Sequence, residues 1–237
     1  MTDLHRIILY SFFSGSTVFL GGVLAYYFGR HVKSGLIKTE IIHSSIAFGG
    51  GILFAAVGLV LIPEGISAVP LTPMILFFSA GVVLFFFIDR YLERRGGTLA
   101  QLLGMMLDFV PESIALGAVF ASNTKLGVLL AIIIGIQNFP EAFNAYLDLK
   151  VTFTASKCLL IFFLLSFSGV ISALTGYYFL SGMPMTIGAL MLLSSGGLIY
   201  LIFQDIAPMS QLKKSRVPAL GASLGFLVGM IGLKMLG

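Results

Sequence analysis

An all-α polytopic membrane protein of eight spans is the fold class the sequence predicts. Three observations carry that reading. Only 10% of the 237 residues are charged while 58% are hydrophobic, too few charges to coat a soluble globule, where about a quarter is usual. Mean hydropathy is +1.04. Apolar runs near the roughly 20 residues that a helix needs to cross a bilayer recur eight times along the chain. Alternating barrel-strand patterns are absent, so a helical bundle is what satisfies the backbone in lipid. One cysteine and no low-complexity tract exclude a disulfide framework and disorder.

Ile7–Gly29 is too long for a signal-peptide core and lacks a small-residue cleavage site, so it reads as a retained first span. Ile41–Ile62 is the second span, carrying Gly49-Gly50-Gly51 and ending in Pro63-Glu64-Gly65; Pro73–Ile88 is the third. Leu99–Ala121 and Leu126–Leu147, the fourth and fifth, hold acids within apolar sequence. Lys157–Leu180 is the sixth, with Cys158 read as a small buried hydrophobe. Met185–Ala207 is the seventh. Val217–Leu236 is the eighth, where Gly221, Gly225 and Gly229 repeat at four and mark one smooth face. That face reads as a contact within the bundle; a homodimer seam is the alternative. The links are short and hold no separate domain, so residues 1–237 read as one transmembrane domain. Without tryptophan, Tyr26, Tyr27, Tyr91, Tyr146, Tyr177 and Tyr178 are the candidates for the interfacial belt.

Charge orients the spans. Arg30, Lys33 and Lys38 lie in the first link, Arg90, Arg94 and Arg95 in the third, Lys150 and Lys157 in the fifth, and Lys213, Lys214 and Arg216 in the seventh; Arg6, Lys125 and Lys234 fall elsewhere. The positive-inside rule then puts the odd-numbered links in the cytoplasm of a multi-pass cell-membrane protein, with both termini outside. Positives split among four short links, with no aromatic–basic stretch, argue against a nucleic-acid partner.

The chemistry lies in the fourth and fifth spans. Asp3, Glu40, Glu64, Asp89, Glu93 and Asp148 sit at span ends or in links, whereas Asp108, Glu112 and Glu141 lie well inside. Each carboxylate at the bilayer centre costs roughly 2.5–3.5 kcal/mol, and no Lys or Arg lies deep in any span to offset it. A bound cation, protonation or a water-filled cavity must do so. Asp108 and Glu112 are four apart on one helix face, as are Gln137 and Glu141 on the next. The short Ser122–Lys125 link makes these helices antiparallel neighbours, with Asn138 beside the cluster. Each glutamate follows a proline, Pro111 and Pro140, which frees the carbonyls of Leu107 and Ile136. Broken helices at mid-depth are how transporters expose backbone oxygens to ions. Phe109 and Phe139 flank the site, as a dry gate or as lipid-facing rings. An intramembrane aspartyl protease wants a Gly-Asp setting that is absent. A zinc hydrolase wants histidines, yet His5, His31 and His43 lie near span ends. The chain reads as no enzyme and calls for no resident cofactor.

At these residues the sequence resembles the ZIP (Zrt-, Irt-like) family of divalent-metal transporters. That family's fourth span typically carries His-Asn-x-Pro-Glu-Gly, and its fifth a related Pro-Glu-Gly motif. Here the places read Asp108-Phe109-Val110-Pro111-Glu112-Ser113 and Gln137-Asn138-Phe139-Pro140-Glu141-Ala142. Leu61-Ile62-Pro63-Glu64-Gly65 and Gly196-Gly197 through Gln204-Asp205-Ile206-Ala207-Pro208 are similar to the family's second and seventh spans. The resemblance implies eight spans with an inverted repeat of the first three and last three. It also implies a metal site of Asp108, Glu112, Gln137 and Glu141, with Asn138 adjoining. Asp108 stands for a histidine, Phe109 for an asparagine, and Gln204 where an acid is common. Ser166–Gly176 has no acid, and the His-rich loop is reduced to Glu93–Thr98. These departures speak against a second metal. His43, Glu64, Gln204 and Asp205 are candidate pathway residues. The expected function is inward transport of zinc, iron or manganese, the all-oxygen set weighting toward the harder two; the alternative is a non-transporting metal sensor or scaffold.

Overall fold

Eight helices long and apolar enough to cross a membrane account for nearly the whole chain, an all-α polytopic membrane protein with no sheet among the described residues. The structure is a computed structural model that describes residues 2–33, 35–95, 100–213 and 215–236. Gly96, Gly97 and Thr98 of the shortened Glu93–Thr98 link, Leu99 at the start of the expected fourth span, and Lys214 of the seventh link lie outside the described residues.

The helices are α1 (Asp3–His31), α2 (Leu36–Ala68), α3 (Leu71–Arg95), α4 (Ala100–Phe120), α5 (Thr124–Thr152), α6 (Ala155–Leu180), α7 (Pro184–Ser210) and α8 (Val217–Leu236). Most run several residues past the apolar stretches because caps and link residues extend them. Thr2 caps α1, and the Asn123 side chain accepts from the Leu126 amide at the start of α5. α5 is the central helix, 72% buried over its apolar window, whereas α3 is 11% buried and faces outward.

Two expectations need correction. The helices are not broken at Pro111 and Pro140; α4 and α5 continue through both, since a bundle interior tolerates one missing backbone bond. The irregularities lie elsewhere. A π-helical turn spans Val57–Leu61 in α2 and another spans Ile202–Ile206 in α7, each just before a proline, Pro63 and Pro208. In α6 the helix is interrupted at Ser166–Phe167, where the Ser166 hydroxyl donates to the Phe162 carbonyl at 2.9 Å, a back-bond that bends helices. Tyr146 is the second correction. It is fully buried against Phe162 and belongs to no interfacial belt.

Packing is by glycine. α8 lies along α2, with Gly221 against Ser44, Gly225 against Phe48 and Gly229 against Ala55. The two helices therefore run parallel, and the glycine face is an intrachain contact, as expected. Small residues let backbones approach closely where lipid removes any hydrophobic drive. Helix pairs α2–α8, α3–α7, α1–α5 and α4–α6 dominate the contacts.

These contacts repeat in register. A Cβ on Gly51 would overlap the Ala222 carbonyl and crowd the Phe226 amide; on Gly196 it would meet the Phe78 carbonyl and the Val82 amide. Gly225 sits on Phe48 as Gly81 sits on Leu193, and Gly21 on Phe139 and Phe143 as Gly176 on Ile114 and Ala118. The register that carries Gly51 to Gly196 carries one π turn onto the other and Pro63 onto Pro208. α1–α3 thus correspond to α6–α8, and α4 corresponds to α5. Each partner sits at a position of opposite parity in the alternating bundle, so the repeats are inverted. Two four-helix groups result, α2/α3/α7/α8 and α1/α4/α5/α6, which meet mainly through α2–α5 and α4–α7.

The glycine contacts make a stability prediction. Gly81→Val forces α3 off the Leu193 carbonyl, an overpacking worth about 1–3 kcal/mol, so the melting temperature in detergent should fall by several degrees. Gly58→Ala, with open space around it, should change it little. Equal melting of both variants would contradict the packing account.

Candidate metal centre

The fourth and fifth helices place the buried acids as their spacing requires. Asp108 and Glu112 project from one face of α4, and Gln137 and Glu141 from the facing side of α5. Gln137 Nε2 donates to Glu112 Oε2 at 2.6 Å across the helix pair. The same register that maps Ile114 onto Phe139 maps Glu112 onto Gln137, so this hydrogen bond lies on the pseudo-twofold axis relating the repeats. The Asp108 and Glu141 carboxyls face each other. Asp108 Oδ1 also accepts from the Phe109 amide at 2.7 Å.

Several polar atoms here are sealed from solvent without a hydrogen-bond partner: Glu112 Oε1, Gln137 Oε1, both Glu141 carboxyl oxygens and both amide atoms of Asn138. Buried polar groups are ordinarily paired, and an unpaired buried charge is expensive. Asn138 is buried beside the cluster and makes no hydrogen bond with it. Among the described residues, no three His, Cys, Asp or Glu side chains converge as a ready-made metal group. Gln137 presents its amide nitrogen to Glu112, so ligation through its oxygen requires the amide to turn.

A cavity of about 520 Å³ leads to this cluster from one end of the bundle. Asp108 and Glu141 form its floor. Glu112, 2% exposed, lies one helical turn beyond and does not line it. The mouth is at the α3, α5 and α7 C-terminal ends, the side of the basic odd-numbered links. Its walls carry Asp89, Glu93, Asp148 and Asp205 as well, and no Lys, Arg or His among the described residues. Tyr200 Oη donates to Asp89 Oδ2 at 2.7 Å, tying α7 to α3 at the rim.

Of the candidate pathway residues, the structure brings only Asp205 to the cavity. Gln204 is exposed on the π turn and points elsewhere, Glu64 is exposed at the opposite end of the bundle, and His43 is half-buried on α2 away from the cavity. Phe109 is neither gate nor lipid-facing; it is buried against Gly169 of α6. Phe139 lines a separate apolar cleft with Phe28 and Phe48. Sequence reading placed Asp89, Glu93 and Asp148 at span ends without a role. One signal was present: Asp89 and Glu93 are four apart, and all three lie at the same bundle end as Asp205.

The other end of the bundle is closed. The repeat register carries Asp108 to Ile133, Glu141 to Leu116, Asp205 to Val60 and Met105 to Leu130, all buried in the apolar core. Access to the carboxylates is one-sided in this conformation.

No protein-family model matches the chain, and no curated protein matches it.

One-sided access has a direct check. In a Cys158→Ala background, Leu107→Cys should react with a membrane-impermeant thiol reagent applied on the side of the odd-numbered links. Leu116→Cys and Ile133→Cys should stay unlabelled from either side while the protein holds this conformation. Labelling of Ile133→Cys with Leu107→Cys protected would reverse the assignment.

Proposed function

We propose that the protein is a membrane permease for divalent first-row metal ions, resembling the ZIP family in its fourth- and fifth-span motifs. One observation carries the reading. Three carboxyl groups, Asp108, Glu112 and Glu141, lie within electrostatic reach of one another at mid-bundle, short of a converged ligand set, with no basic side chain beside them among the described residues. Carboxylates gathered where hydration is poor favour a small dication, which neutralises them and takes oxygen ligands directly. Glu112 and Glu141 serve as the principal ligands, with Asp108 and the Gln137 oxygen completing an oxygen set. Such a set accepts manganese and ferrous iron more readily than zinc, which usually takes nitrogen or sulfur.

The basic odd-numbered links lie in the cytoplasm on the positive-inside rule, with both termini outside. The acid-lined cavity then opens inward, and the conformation is the releasing one. Loading from outside requires the apolar closure around Leu116, Ile133 and Val60 to open. The inverted repeat offers a route, because exchanging the conformations of the two halves exchanges the open and closed ends. A metal sensor on the same scaffold is the competing reading. Binding without flux identifies it.

Manganese uptake into proteoliposomes is the test. Glu112→Ala and Glu141→Ala should each cut uptake at least ten-fold, while wild-type uptake is competed by iron and manganese ahead of zinc. Asp108→His, which adds a nitrogen ligand, should move the preference toward zinc. Equal uptake by wild type and both alanine variants would remove the glutamates from the mechanism.

A further inference from the structure

The vestibule is larger and more extended than a metal path needs. At about 30 Å³ per water, a hexahydrated dication fills about 180 Å³. The cavity holds about 520 Å³, within the range of about 300–1,000 Å³ of small-organic-ligand sites. Its six carboxyl groups do not share one point. Glu93 and Asp148 are exposed at the mouth, Asp89 and Asp205 stand part-way in, and Asp108 and Glu141 form the floor. Along α5 alone, Asp148 and Glu141 are two turns apart, about 10 Å at 1.5 Å per residue. The walls between are apolar, from Leu53, Leu92, Met105, Leu201 and Ile206.

The acids also divide by wall. Asp89, Glu93 and Asp205 belong to the α2/α3/α7/α8 group, and Asp108, Glu141 and Asp148 to the other. At the floor, both Glu141 oxygens are sealed from solvent, and no protein donor reaches them. Asp89 has a neutral donor in Tyr200 and Asp108 one in the Phe109 amide. A point ion at the floor leaves the mouth acids unused and the apolar walls unmatched. A flexible chain with a positive charge at intervals matches both.

We propose that this vestibule binds linear organic polycations, ammonium groups separated by short methylene chains. An inner ammonium meets Asp108 on the floor beside the sealed Glu141 carboxyl, the methylenes lie on the leucine and methionine walls, and an outer ammonium meets Glu93 and Asp148. Charges in an apolar-walled cleft attract more strongly than on an open surface. The inner contact shares the floor with the metal reading, whereas the mouth acids Glu93 and Asp148 lie outside the mid-bundle cluster and set the two readings apart.

Spermidine is the probe, with n-butylammonium as the single-charge control. Binding is measured by calorimetry on the full chain in phosphatidylcholine nanodiscs at fixed ionic strength, with manganese titrated in parallel. Spermidine should bind at least ten-fold more tightly than n-butylammonium. Glu93→Gln/Asp148→Asn, two exposed side chains whose loss leaves the fold intact, should weaken spermidine at least ten-fold and leave manganese affinity unchanged. Spermidine binding no tighter than the monoamine, or unaffected by the double substitution in a protein of wild-type melting temperature, overturns the proposal. Manganese binding without spermidine binding sinks this inference and spares the permease; spermidine binding without manganese binding does the reverse.

Discussion

Carboxyl groups packed into an apolar bundle without a counter-charge are the constraint around which this molecule is arranged. Each unpaired carboxylate in such surroundings is a cost of several kcal/mol, and the fold does little inside the protein to relieve it. Gln137 gives Glu112 one hydrogen bond and the Phe109 amide gives one to Asp108; Glu141 receives none from a protein donor. The rest of the chain supports that cluster. Glycine contacts hold the helices at backbone distance, α5 is buried at the centre, and an acid-lined cavity leads from one end of the bundle to Asp108.

Symmetry explains why the site sits where it does. The Glu112–Gln137 bond lies on the axis relating α4 to α5, the position that both halves share. The two repeats are alike in backbone and unlike in side chains. Asp108, Glu141 and Asp205 at the cavity correspond to isoleucine, leucine and valine at its mirror position. The backbone could open at either end; the residues make one end wet and charged and the other dry.

Much of the fold was legible in the sequence, because span length and hydropathy are properties of local runs. All eight spans are present, and the basic links alternate as a bundle of that count requires. The core of the site was legible for the same reason: the spacing of Asp108 with Glu112 and of Gln137 with Glu141 fixes helix faces without any knowledge of packing. What escaped was non-local. Asp89, Glu93 and Asp148 looked like ordinary span-end acids, and only the convergence of α3, α5 and α7 makes them one lining. Prolines suggested breaks at Pro111 and Pro140, but the π turns before Pro63 and Pro208 carry the irregularity. Tyr146 looked interfacial by position and is buried because α6 crosses over it.

The most direct measurement is anomalous diffraction from crystals soaked in manganese. The account predicts a peak among the carboxyl groups of Asp108, Glu112 and Glu141, with the Gln137 amide turned to offer its oxygen. An empty cluster at saturating manganese, its acids bonded only to one another and to Gln137, would contradict it.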